Sequence, residues 1–327
     1  MSATDLLLDS PDATAQPIAP GEIAARSPLQ LFWRRFRRDR VAMAALVFIA
    51  ILVLVAILAP LVIKIAGTPK PNLQNPNLLD DFGQPSGPSS ADPFGTDARG
   101  RDVFSRVIYG ARPSLEVAFI ATAIAIVVGV VAGLLAGYYR GWVDSVIGRL
   151  TDLALLMPTF LIAAVLARRT FSTASIAQGN ASSNWLQVAI ILGLTNWMTV
   201  SRTIRGMVLS LREKEFVEAA RALGGGPFRV IFRHILPNTM DVVIVNATVA
   251  VAQAVLLEAA LSFVGLGVKY PDTSLGLLIN ENQNELQIHP WLFYFPFLFI
   301  VLISLSVNFV GDGLRDAFDP RQKRVRA

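Results

Sequence analysis

The sequence predicts an all-α, polytopic membrane protein with about six transmembrane helices. The first observation is compositional: of 327 residues, 53% are hydrophobic and 16% charged, against roughly 45–50% and 25% in soluble domains. The second is distribution, because the apolar residues gather in runs of sixteen to twenty-five with hardly a charge, the pattern of membrane spans. The third is where the charges go. A formal charge of +5 points to nucleic acid only if it forms a patch, and here the basic residues flank the apolar runs, as membrane topology requires.

Residues 1 to about 30 are rich in Ala, Pro, Ser and Asp without periodicity, the pattern of a disordered tail. Then LQLFWRRFRRDR crowds Arg34, Arg35, Arg37, Arg38 and Arg40 against the first run, Val41 to Ile63. A signal peptide would have an apolar region of about 7–15 residues ending in small residues. This one is longer and ends in Pro60 and Lys64, so residues 31–64 read as a basic flank and an uncleaved span. Residues 65–113 are dense in Pro, Asn, Gly and Asp, predicting an ordered loop with one short helix near Arg101 to Tyr109. A core of five further runs is expected over 114–315: Val117 to Tyr138, Val143 to Ala167, Trp185 to Val200, Val242 to Val264 and Trp291 to Val310. The second of these five contains Arg149 and Asp152, spaced to pair on one helical face. The third is short, but Trp185 and Trp197 near its ends suit aromatic belts. Residues 316–327 form a basic tail.

Counting charges gives the orientation. Six spans with both termini cytoplasmic put 20 Lys/Arg inside and nine outside, in accord with the positive-inside rule. Arg168 and Arg169 fall on the less favoured side.

Several chemistries are excluded. The chain has no cysteine and only two histidines, His234 and His289, so disulfides, thiolate catalysis and Cys/His metal clusters are out. It has no Gly-Lys pair and hence no G-x-x-x-x-G-K-S/T phosphate cradle. If ATP drives this protein, another chain binds it. No catalytic set is apparent, so the chain is expected not to be an enzyme.

The cytoplasmic segment REKEFVEAARALGGGPFRVIFRHILPN carries the most information. Phe216, Ala219 or Ala220, and Leu223 recur at helical spacing; Gly224 to Gly226 stop the helix. Pro227 starts a second one whose stripe is Phe228, Ile231, Phe232 and Ile235. Two amphipathic helices joined at a glycine corner would lie beneath the membrane. They serve as an interfacial loop packed on its own spans, as a docking site for a cytosolic partner, or as a DNA-reading pair, the last disfavoured by the tether between two spans.

EAARALG followed by RHILPN resembles the EAA loop of permease subunits of bacterial ATP-binding-cassette (ABC) importers. The general pattern is EAA, three residues, Gly, nine residues, Ile, one residue, Leu-Pro. Glu218, Ala219, Ala220, Gly224, Leu236 and Pro237 match it, whereas His234 stands where Ile is expected, as in the variant of the dipeptide/oligopeptide branch. DPFGTDARGRDVFSRVIYGARPSL, EAALSFVGLGV and NFVGDGLRDAFDPR resemble the same branch, most closely its second ("C") permease component.

The resemblance implies the type I ABC importer permease fold in a bacterial inner membrane. It implies transport of dipeptides, oligopeptides or similar solutes. The implied partners are a homologous second permease, two ATPase subunits or domains that hold ATP and magnesium, an extracytoplasmic solute-binding protein and the lipid bilayer, with no nucleic acid and no cofactor on this chain. It also assigns ATPase coupling to Glu215, Phe216, Glu218, Ala219, Ala220, Leu223, Gly224, His234, Leu236 and Pro237. An ion-coupled secondary transporter is the alternative; it would show paired broken helices and buried coupling carboxylates, neither evident here.

Candidates for a translocation path come from polar residues in the Val242 to Val264 run. Asn246 and Gln253 lie about 20° apart around a helix, marking a bundle interior or a water path. Glu258, about 140° from Gln253, lines the path, pairs with a neighbouring subunit or caps a packing contact. Gly129, Gly133 and Gly137 form a doubled G-x-x-x-G suited to close helix packing. Asp97, Arg101 and Asp102 are expected to form a local cap and a solvated ion pair.

Overall fold

A computed structural model describes residues 28–90, 92–170 and 184–318; the expected tails at 1–27 and 319–327 lie outside them. Helices α1 (Pro28–Phe36), α2 (Arg40–Ile57) and α3 (Ala59–Ala66) come first. The Asp39 carboxylate caps α2 by accepting from the amides of Val41 and Ala42. The first apolar run is therefore two helices, broken at Leu58 with Pro60 in the opening turn of α3, a position where its missing N–H costs nothing.

α4 (Val103–Tyr139) corrects the expected loop boundary. The short helix foreseen near Arg101 to Tyr109 is the opening of a 37-residue helix that continues through Pro113. The Asp102 side chain caps it by accepting from the Ser105 amide at 2.7 Å. The Val143 to Ala167 run is also two helices, α5 (Gly141–Leu156) and α6 (Thr159–Thr170), bent by 89°. Pro158 follows the break, and the clash of its ring with the preceding residue explains the extended Met157 (ψ 135°).

α7 (Asn184–Leu211) is 28 residues long, well beyond the sixteen apolar residues that announce it. Two of its polar residues are satisfied within the helix: the Thr195 hydroxyl donates to the Ile191 carbonyl and the Asn196 amide to the Leu192 carbonyl. α8 (Glu215–Ala222) and α9 (Pro227–Val230) follow. A wide turn at Ile231–Ile235 and a tight one at Leu236–Thr239 then lead into α10 (Met240–Phe263). The second short helix is thus no separate element: α9 runs on into the fifth span. Pro237, which has no N–H to donate, accounts for the non-α turns. α11 (Leu275–Asn282), capped by the Ser274 hydroxyl, went unforeseen, and α12 (Trp291–Phe318) closes the chain.

Among the described residues four helices are long and apolar enough to cross a membrane, or five if the bent α5–α6 pair is one span. α7, 28 residues long and packed along α4, falls outside that count. The main core joins α2, α4, α6, α7, α10, α11 and α12 through residues such as Leu52, Val107, Leu192, Val255, Leu278 and Ile303.

The seam between α4 and α7 is glycine-lined. A Cβ at Gly129, Gly133 or Gly137 would come within 2.7 Å of α7 atoms, and one at Gly193 within 2.7 Å of Ile124. Gly129 faces Trp197 and Val200, Gly133 faces Ser201 and Ile204, and Gly137 faces Val208, so the two helices run parallel. Lipid gives no hydrophobic drive for helix pairing, and such close approach supplies the dispersion contact instead.

Candidate functional site

The segment 212–241 forms a handle at the arginine-rich end of the bundle. Val217 on α8 is completely buried, as are Val230 and Ile235, in a cluster with Leu134 of α4, Val200, Ile204 and Val208 of α7, and Val243 of α10. Polar ties reinforce it. The Arg212 guanidinium donates to the Tyr138 carbonyl at 2.6 Å, Arg140 pairs with Glu213, and the Arg221 guanidinium lies 5.1 Å from the Tyr138 ring centre.

The corner rests on Gly224, at φ +80°, and on Gly225, where a Cβ would sit 2.5 Å from the Ala220 carbonyl oxygen. The amides of Gly224 and Gly225 donate to Arg221 and Ala220, closing the end of α8. Glu215 and Glu218 lie in the first turn of α8, where the helix dipole favours negative charge.

The stripes read from periodicity divide between the two sides. Phe216 and Leu223 point outward, Leu223 being 89% exposed, and the inward position is Val217. On the second limb Phe228 and Phe232 are also outward, 73% and 44% exposed, with rings 4.4 Å apart, while Val230, Ile231 and Ile235 are buried. The cause is geometric: an eight-residue helix presents two apolar sides, and the narrow one fits against α4 and α7. The Glu218 carboxylate makes no hydrogen bond or ion pair among the described residues. Ala219 is exposed, Ala220 is half-buried, and Leu236 and His234 are half-buried next to exposed Pro237. The His234 carbonyl accepts from the Asn238 side chain.

The residues expected along a path separate. Gln253 is exposed, on a face it shares with Val249 and Leu256. Asn246, half-buried, donates to the Val242 carbonyl of its own helix. Glu258 is fully enclosed, the environment of the packing contact among its three readings. Its oxygens accept from Ser114 of α4 at 2.9 Å and Ser262 of α10 at 2.7 Å. Ser114 and Ser262 in turn accept from the amides of Leu275 and Val268. The carboxyl joins α4, α10 and the approach to α11, a packing role.

At the opposite end the expected ion pair is larger and drier than its sequence implied. Asp97 Oδ2 accepts from Arg101 at 2.7 Å and from Arg106 at 2.9 Å. Glu281 Oε2, on α11, accepts from both arginines at 2.7 Å. Asp97, Arg101 and Arg106 are buried. Burial pushes the Glu281 carboxyl up, but Arg106 and Arg101 outweigh it and hold the group below its ordinary range. Burial dominates at Asp102 and raises it in spite of the bonds from Ser105. Arg106 and Glu281, 175 positions apart, carry no local signal that sequence reading could have used. Asp152 pairs with Arg202 of α7, not with Arg149, and Asp144 pairs with Arg205.

Known proteins resemble this chain throughout. Residues 129–324 match the family model described as binding-protein-dependent transport system inner membrane component, and residues 27–82 match the N-terminal TM domain of oligopeptide transport permease C. The dipeptide transport system permease protein DppC of Alkalihalophilus pseudofirmus is 37% identical, over 96% of this chain and 97% of its own. The oligopeptide transport system permease protein OppC of Escherichia coli K12 is 38% identical, over 92% and 94%. A solved chain of the MetNI methionine ABC transporter, in an inward-facing conformation, shares the fold. It superposes with TM-score 0.53 at 17% identity, covering 65% of this chain and 96% of that one.

Proposed function

The chain belongs to the family of binding-protein-dependent transport system inner membrane components, and from that premise we propose that it is a permease subunit of an ATP-driven importer that moves peptides into the cytoplasm. Peptides as the solute class rest on the relatives named for dipeptide and oligopeptide transport. ATP and magnesium bind partner subunits, and a second permease and an extracytoplasmic solute-binding protein complete the assembly.

The observation that carries this reading is the handle. It is welded to α4 and α7 by buried aliphatics and by Tyr138, yet it leaves Phe216, Leu223, Phe228 and Phe232 uncovered. A loop that only served its own bundle would bury those side chains, whereas a transmission element needs a stiff root and an open contact face. Glu218 supplies a carboxylate for a basic group on the ATPase, and Gly224 sets the corner. Movement of the ATPase pair then passes into α7 and α10 as rigid-body rotation, opening and closing the route between the permeases. The exposed α10 face with Gln253, and Asn246 at its border, belongs to that route or to its partner-facing wall.

The test is solute-stimulated ATP hydrolysis by the purified complex. Glu218→Gln and Gly224→Val are expected to lower stimulation about fivefold or more, the low end of ordinary coupling factors, with all subunits still co-purifying. Full stimulation in both variants would remove the handle from the mechanism.

A further inference from the structure

The handle does not account for a second feature of the same end of the bundle, an apolar groove roofed by α1. Between α1, the last turns of α12 and the first turn of α10 lies a cavity of about 680 Å³. Leu31, Phe32 and Trp33 form one wall, Leu314 and Phe318 another, and Ile244 the floor. α1 is held in place over it: Phe36 is buried, the Phe32 and Phe318 rings are 4.4 Å apart, and Arg35 donates to the Ala317 carbonyl.

Arg35 also lines the groove, and the chain segment that continues from it is cationic. Five arginines fall within residues 34–40, against the single Asp39, and the Asp39 carboxylate is engaged in capping α2. Arg34, Arg37, Arg38 and Arg40 are exposed, and Arg37 stacks 4.9 Å from the Trp33 ring centre, the amphipathic arrangement of a headgroup-level belt. Arg34 lies about 60° around the helix from Leu31 at 100° per residue, between the lining residues Trp33 and Arg35 in the chain. The turn between α1 and α2 is three residues long, Arg37 to Asp39, so the rim sits where the first span leaves the hydrocarbon.

We infer that this groove is a binding site for one anionic glycerophospholipid, its phosphate on Arg34 and Arg38 and an acyl chain along Leu31, Ile244 and Leu314. Charge complementarity selects this occupant. A peptide or protein segment that filled an apolar slot of this kind would have to bring its own carboxylates to the four exposed arginines, while a membrane lipid brings phosphate and hydrocarbon together at the required depth. Basic clusters next to a span and basic pockets between membrane helices recognise anionic headgroups on these grounds. The inference needs only that the chain is embedded in a bilayer, and it survives or fails independently of the solute.

The experiment uses the full-length chain, purified with its accompanying subunits and incorporated into nanodiscs of phosphatidylcholine with or without phosphatidylglycerol. After exchange into detergent, retained phospholipid is counted by native mass spectrometry. Retention of one phosphatidylglycerol in preference to phosphatidylcholine is expected. Retention should fall about tenfold or more in Arg34→Gln/Arg38→Gln, which removes two surface charges. Ile244→Trp, which fills the groove while leaving the arginines, should abolish it too. Arg99→Gln at the other end is the control and should retain the lipid. Equal retention of the two lipids, or phosphatidylglycerol binding unchanged in both groove variants, overturns the proposal. So does retention that appears only after residues 1–27 are deleted, because the groove is then occupied by the chain itself.

Discussion

The residues that bear most on stability at the loop end are Asp97, Arg101, Arg106 and Glu281, two carboxylates shared by two guanidiniums. Removing one partner of a buried ion pair costs about 3–5 kcal/mol because the others keep their desolvation penalty. The lower figure applies here, since the Glu281 side chain remains 22% exposed. The sign of the pH effect follows from the depressed Glu281 carboxyl. A carboxylate lowered in the folded state contributes stability that is complete above its unfolded value of about 4.3 and is lost as pH falls through the folded one. The melting temperature of the purified complex should therefore hold between pH 7 and 5 and fall below about pH 4. Glu281→Gln should melt lower already at pH 7 and lose its share of the acid slope; an unchanged melting curve would mean that the network is energetically idle. Half of this network was legible: the spacing of Asp97, Arg101 and Asp102 announced a cap and an ion pair. Its dryness and its third and fourth members were not, since they depend on α11 folding back from far along the chain. The choice among the three readings of Glu258 was not legible for a similar reason. In a helix of period 3.6 a carboxyl can face a cavity or a seam, and only the positions of Ser114 and Ser262 decide between them.

At the scale of elements, the glycine seam yields the sharpest expectation. Gly133→Ala places a methyl 2.7 Å from the Ser201 carbonyl oxygen and 2.8 Å from the Ile204 Cβ, against backbone that cannot turn aside. Gly133→Leu is worse, because overpacking of this kind costs about 1–3 kcal/mol for the first added groups. Melting of the purified complex should show wild type above the alanine variant and the alanine variant above the leucine variant, whereas Gly148→Ala, with no atom nearby, should behave as wild type. A flat series would mean that α4 and α7 are not pressed together in the membrane. The doubled G-x-x-x-G was readable from spacing alone, but not its partner. Gly193 on α7 sits outside any such repeat, and the pairing is parallel between helices separated by two others. Breaks were the least legible elements. Pro158 bends its run by 89°, yet Pro113 leaves α4 unbroken; a proline specifies a missing donor, and the neighbours determine whether the helix gives way.

For the whole molecule, sidedness has a direct assay, made clean by the absence of cysteine. Phe82 is 87% exposed at the loop end and Leu223 89% exposed on the handle. In intact cells, a membrane-impermeant maleimide should label Phe82→Cys and spare Leu223→Cys until the membrane is opened. The reverse pattern would place the handle on the wrong side for an ATPase. The expectation comes from the distribution of arginines and lysines, which follows the membrane field and not the details of packing. The seam described above also has a dynamic meaning. A junction of glycines has no side-chain rotamers to exchange and no interlocking chains to climb over, so a push at the Tyr138 end is not dissipated along the way. Under the coupling proposed above, α4 and α7 would deflect together as a single beam, and the stroke would reach the far end, fastened through Glu258 and the arginine clasp.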